Sequence, residues 1–255
     1  MTSARVLAVT NQKGGVGKTT TSINLAASLA LAGRRVLLVD LDPQGNATMG
    51  SGIDKRKLER TIYHVLLGLG EAANIRVRAA SGFDLIPANR ELAGAEVELV
   101  DLPNREGRLR AALESLAADY DFILIDCPPS LSLLTVNAFA AAEQVLIPMQ
   151  CEYYALEGLS DLVGTIKRVR GKLNPRLEIA GLLRTMFDPR NTLAHQVSQQ
   201  LEEHFGDKVY RTLVPRNVRL AEAPSYGAPA VVWDRSSKGA QAYVALAEEI
   251  LKGNP

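Results

Sequence analysis

Gln12-Lys13-Gly14-Gly15-Val16-Gly17-Lys18-Thr19-Thr20 is the stretch on which the fold turns. It follows the phosphate-loop pattern G-x-x-x-x-G-K-[ST] only loosely, with its glycines drawn together and an extra lysine, Lys13, ahead of them. Successive glycines let backbone N–H groups curl around a polyphosphate where any Cβ would stand in the way. Gly14, Gly15, Val16 and Gly17 are therefore the expected cradle, with Thr20 beside it. Lys18 is the mobile charge that reaches the β- and γ-phosphates, and the Thr19 hydroxyl is a ligand for Mg²⁺. Lys13, a second cation at the mouth of the loop, points to charge delivered to a phosphate beyond its own chain.

The flanks agree with that reading. Val6 to Val9 is a short apolar run of the kind a buried parallel strand shows. From Thr19 to Ala32 the apolar residues Ile23, Ala26, Ala27 and Ala30 recur at helical spacing, and Gly33 ends the helix. A strand, a glycine loop and a helix N-terminus in succession make an anion site from backbone dipoles alone.

The same alternation runs along the 255 residues. Apolar runs at 36–39, 83–86, 122–125, 145–147, 179–183 and 209–214 read as strands. Stretches at 61–67, 109–118, 131–142, 156–170 and 192–205 read as helices, and 50–74 is the weakest region, an exposed loop leading into the first of these. This predicts an α/β fold, a doubly wound and mostly parallel sheet flanked by helices. No linker, repeat or low-complexity tract divides the chain, so one domain over 1–255 is expected. The apolar runs are far shorter than the roughly 18 residues of a membrane span, and the start leaves no room for a signal peptide. Cys127 and Cys151 stand singly, as buried thiols of a reducing cytoplasm do. Net charge is only +1, yet 161–238 holds thirteen Lys and Arg against eight Asp and Glu, a local basic excess.

In such sheets ligands lie beyond the carboxyl ends of the strands, and two strands end there in acids. One closes as Leu38-Val39-Asp40-Leu41-Asp42, the other as Ile125-Asp126-Cys127-Pro128. Asp126 suits water-mediated Mg²⁺ binding, because Mg²⁺ keeps several waters and takes few carboxylates. Asp42, in a segment broken by proline and glycine, is the candidate for orienting an attacking water. Asp40 would support the Mg²⁺ shell. The alternative for both Asp40 and Asp42 is a helix or turn cap.

With these pieces assembled, the sequence resembles the ParA/Soj-type chromosome-partition ATPases of the deviant Walker A class of P-loop NTPases. The likeness covers essentially the whole chain. It is carried by the stretches 13–20, 38–46 and 125–130, by Gln-Cys-Glu-Tyr-Tyr-Ala-Leu-Glu-Gly at 150–158, by Leu-Ala-Gly-Ala-Glu at 92–96 and by Val-Pro-Arg-Asn-Val-Arg-Leu at 214–220. The resemblance implies an ATP- and Mg²⁺-dependent sandwich homodimer in which Lys13 crosses to the other subunit's nucleotide and the two Gly14 positions face each other. It implies adenine contacts from Pro215 and Asn217, with Thr185 and Met186 lining the same pocket. It further implies slow hydrolysis stimulated by a ParB-type partner, and non-specific binding of double-stranded DNA by the ATP-bound dimer. Arg190 and Arg219 match DNA-contacting arginines of the Soj branch, and Arg216, Arg235 and Lys238 join them by proximity. A cytoplasmic, nucleoid-associated protein with no membrane partner is the corresponding expectation.

Two departures stand out. The segment around Trp233-Asp234-Arg235 lacks a proline that relatives often carry, and no helix-turn-helix precedes the first strand, so operator recognition is not expected. A MinD-type membrane-cycling ATPase would need a basic amphipathic C-terminal helix, where this chain ends Glu-Glu-Ile-Leu-Lys-Gly-Asn-Pro. An iron–sulfur protein would need its two cysteines as cluster ligands, whereas here both lie inside partition-type motifs. Positioning of some other cargo by the same machinery stays open, because the partner defines the cargo.

Overall fold

Strands buried on both faces must be apolar at every position, and the central runs of this chain are. In the computed structural model, which describes residues 4–253, eight strands form one sheet. They are β1 (Arg5–Val9), β2 (Val36–Asp40), β3 (Val77–Arg78), β4 (Asp84–Ile86), β5 (Phe122–Asp126), β6 (Gln144–Gln150), β7 (Glu178–Phe187) and β8 (Val209–Pro215). Their order is β3-β4-β2-β5-β1-β6-β7-β8, and every pairing is parallel except β3 with β4. The expected doubly wound sheet is the observed one.

Twelve α-helices accompany it among the described residues: α1 (Lys18–Leu31), α2 (Asn46–Gly50), α3 (Ile62–Leu67), α4 (Ala72–Ile75), α5 (Leu92–Glu98), α6 (Arg108–Glu114), α7 (Leu133–Ala141), α8 (Ala155–Lys172), α9 (Thr192–Phe205), α10 (Val218–Glu222), α11 (Ala230–Trp233) and α12 (Lys238–Leu251). Because successive strand side chains point to opposite faces, β2 sends Leu37 and Val39 into one core and Val36 and Leu38 into another. The first core is closed by α3–α9, the second by α1, α2 and α10–α12.

All seven sequence-predicted strands are present. The two-residue β3, an antiparallel edge, carries no apolar run and escaped the sequence reading. The stretch 50–74 is less loop-like than expected, since it holds the end of α2 together with α3 and most of α4. The helix expected over 109–118 stops at Glu114 and continues as turns. No described helix is long and apolar enough to cross a membrane.

The register decides where chemistry is possible. β5 lies between β1 and β2, with Asp126 opposite Val9 on one side and opposite Asp40 on the other. The glycine loop after β1 and the acidic ends of β2 and β5 therefore emerge side by side at the carboxyl edge of the sheet.

Candidate functional site

The loop following β1 turns sharply into α1. Gly15 and Gly17 hold φ of +75° and +89°, a region that an L side chain occupies only with strain. A Cβ at Gly14 or Gly15 would meet nothing within 4 Å, so both positions border open space. Helix α1 starts at Lys18 with no side-chain cap and no acid in its first turn. Its first N–H groups are thus unclaimed by side chains, and together with the helix dipole they favour an anion. A polyphosphate fits this cradle.

Lys18 is buried, and its amine donates to the Lys13 carbonyl at 3.0 Å. Burial pulls its pKa below the usual lysine range, with the Asp126 charge opposing. The Thr19 hydroxyl donates to one Asp126 oxygen at 2.8 Å, and Ser22, one turn further along α1, donates to the other at 2.8 Å. Asp126 is fully buried, and desolvation, reinforced by the Asp40 charge, pushes its carboxyl far above the ordinary range. A hydroxyl paired with a buried carboxylate beside the cradle is an oxygen donor set suited to Mg²⁺.

The second acid pair divides. Asp40 was expected in a metal shell, but it takes the Thr48 N–H at 2.8 Å and the Thr48 hydroxyl at 2.7 Å on one oxygen, and the Asp42 N–H at 3.2 Å on the other. It caps the first turn of α2 and fixes the segment after β2, which was its alternative reading. Asp42 is mostly buried, and one of its oxygens accepts the Gln44 N–H at 2.9 Å. Its other oxygen has no hydrogen-bond donor among the described residues and is free for a water.

Lys13 is half-exposed and ion-paired with Glu152, in the loop after β6. Asn11 steadies it: its side-chain oxygen accepts the Lys13 N–H at 3.0 Å while its amide donates to the Pro148 carbonyl at 2.9 Å. On the far side of the loop, Gly17, Thr20, Thr185, Met186, Pro215 and Asn217 line one cavity of about 170 Å³. The adenine-pocket residues expected from resemblance are therefore together and adjoin the loop. Thr185 also donates its hydroxyl to the Val16 carbonyl at 2.7 Å, tying β7 to the loop. Met186 holds φ of +49°, strained backbone at the wall of that cavity. A larger cleft, about 660 Å³ beside α3, α4 and α6, contains none of the expected site residues.

The basic candidates lie at the surface. Arg190 is exposed and paired with Asp188 through two contacts of 3.0 and 2.9 Å. That pairing, with Arg216 adding to it, holds the Asp188 carboxyl down at about 2. Arg219 pairs with Glu222 at 3.0 Å and Asp234 at 3.3 Å. Arg216, Arg235 and Lys238 are exposed and make no ion pair among the described residues. Cys127 and Cys151 are buried, and desolvation raises both thiol pKa values.

Sequence reasoning passed over Ser22, Thr48, Asn11 and Thr185's tie to the loop. Only Ser22 left a signal, since it sits three residues beyond Thr19 on one helix face.

Against known proteins, the AAA_31 family model, an AAA domain, matches residues 4–179. The sporulation initiation inhibitor protein Soj of Bacillus subtilis is 53% identical over 247 residues, covering 96% of this chain and 98% of that protein. The chromosome partitioning protein ParA of Caulobacter vibrioides is 53% identical, covering 97% and 94%. Among solved structures, the cobyrinic acid a,c-diamide synthase of Mycobacterium smegmatis with bound ADP and magnesium superposes with a TM-score of 0.86 at 42% identity, covering 98% of this chain and 94% of that one.

Proposed function

Because the chain belongs to the ParA/Soj family of chromosome-partitioning ATPases, we propose that it works as an ATP-gated dimer that rides on DNA and is released by hydrolysis. The observation that carries this reading is the Thr19–Asp126 hydrogen bond directly beside an open glycine arc and an uncapped helix N-terminus. Gly14 to Thr20 would hold the phosphates, Thr19 directly and Asp126 through waters would hold Mg²⁺, and Pro215 and Asn217 would face the adenine. Bound Mg²⁺–ATP supplies the cation that neutralises phosphate charge and a γ-phosphate open to in-line attack by water.

The side chains supply the rest. Lys18 leaves the Lys13 carbonyl for the phosphates, where its charge is worth more in a dry site than in water. Asp42 holds an attacking water on its free oxygen and takes up its proton. Asp40, by capping α2, keeps Asp42 from drifting. Lys13 exchanges Glu152 for the nucleotide of a second subunit, and with the Gly14 positions face to face the triphosphate joins the two copies. Arg190, Arg219, Arg216 and Arg235 then contact backbone phosphates of double-stranded DNA without reading sequence. A ParB-type protein accelerates turnover, and the protein resides in the cytoplasm on the nucleoid.

Calorimetry on Lys18→Ala tests the core of this reading. ATP heat should vanish with Mg²⁺ present, and retained affinity would remove the loop from the account.

A further inference from the structure

Arg219 is held in an unusual setting. Its guanidinium carbon lies 5.5 Å from the centre of the Trp233 ring, and Trp233 in turn stacks on Tyr226 with centroids 4.6 Å apart and planes 19° from parallel. Glu222 and Asp234 grip the same guanidinium from the side. Tyr226 and Val232 are exposed, so this aromatic layer lies at the surface rather than in the core. Its base is firm: the N–H of Val231 donates to Asn24 of α1 at 3.3 Å, and the backbone at Gly227 packs directly on Gly52.

We infer that Trp233 is a positioning residue for DNA binding, a platform that keeps the Arg219 guanidinium oriented while phosphates displace Glu222 and Asp234. This rests on the DNA-binding reading above and names a part of that site that no motif assigns. An arginine on a flexible stem loses rotamer freedom on meeting a phosphate, and an aromatic face that has already ordered it lowers that loss. The carboxylates hold the same arginine in the free state and give way to the closely spaced phosphates of a duplex, whose binding releases condensed counterions. Platform and acids thus act with opposite signs: removing the ring weakens binding, and removing an acid strengthens it. Tyr226 braces the ring from beneath.

Trp233 is the chain's single tryptophan, so the unmodified protein reports on the event. The full-length protein with ATP and Mg²⁺ is titrated with a short random-sequence duplex, following indole emission and the anisotropy of a label on the DNA together. Emission should change saturably and in step with anisotropy. Anisotropy that rises while emission stays flat overturns the platform alone, and no binding at all overturns the DNA reading with it. Two variants separate positioning from direct contact. Trp233→Leu should weaken DNA binding roughly two- to fivefold and Trp233→Phe should restore most of it. In an Arg219→Ala background Trp233→Leu should add nothing, and an additive loss there would contradict the proposal. If Trp233→Leu does not fold, judged by ATP-driven dimerisation, the Phe variant and the emission titration still decide.

Discussion

Asp126→Asn should stabilise the nucleotide-free protein while ending its response to Mg²⁺–ATP. Burial and the neighbouring Asp40 push the Asp126 carboxyl up to about 8 from an ordinary 3.8. A carboxyl raised on folding contributes its stability below pH 4 and loses it as pH climbs through the folded value, because the unfolded chain gives up the proton first. At about 1.4 kcal/mol per unit, and with pH 7 roughly three units above the ordinary value, the free protein forfeits on the order of 4 kcal/mol. Asparagine keeps an acceptor for the Thr19 or Ser22 hydroxyl and carries no charge, so the variant escapes that loss. Urea unfolding in chelator at pH 5 and pH 8 is the assay. Wild type should weaken across that window, and the variant should weaken much less, retaining only the smaller contribution of Asp40, which burial also raises. Adding Mg²⁺–ATP should then raise the midpoint of wild type only. Equal pH slopes for the two proteins would refute the argument that burial keeps the Asp126 carboxyl protonated in the free protein.

Three further outcomes are expected. Asp42→Ala should lower phosphate release on the order of a hundredfold and leave an ATP-bound dimer on DNA, measured by filter retention; normal turnover would dismiss Asp42 as the water-holding group. Thr185→Val keeps the side-chain shape but strips the buried Val16 carbonyl of its donor, which costs about 1–3 kcal/mol. ATP affinity by calorimetry should fall about tenfold, and an unchanged value would show that the β7 tie is incidental. Glu222→Gln frees Arg219 of one acid, so duplex affinity at moderate salt should rise roughly twofold, whereas weaker binding would place Glu222 in the contact itself.

Much of the molecule was legible because its signals are local. β1, β2 and β5 are continuous apolar runs, and the glycine loop, Lys18 and Thr19 follow each other along the chain. Asp126 was readable because an acid directly after a buried strand has few reasons to be there. Asp40 carried the same signature, but its oxygens accept from Thr48 and Asp42, an arrangement that depends on Thr48 folding back eight residues later, which no spacing announces. The Thr185–Val16, Asn11–Pro148 and Lys13–Glu152 contacts join residues more than 130 positions apart and become visible only once β6 lies beside β1 and β7 beside β6. α12 is a different case. Tyr243, Leu246, Ala247 and Ile250 are buried at helical spacing, so its pattern was present in the sequence but went unread. β3 left no pattern at all.

The claim on which the rest stands is that a lysine given in trans couples ATP to self-association. Sedimentation of wild type and Lys13→Ala with ATP and Mg²⁺ tests it most directly. Wild type should move from monomer to dimer, and the variant should stay monomeric while calorimetry shows that it still binds nucleotide. A Lys13→Ala protein that dimerises as readily as wild type would contradict the account.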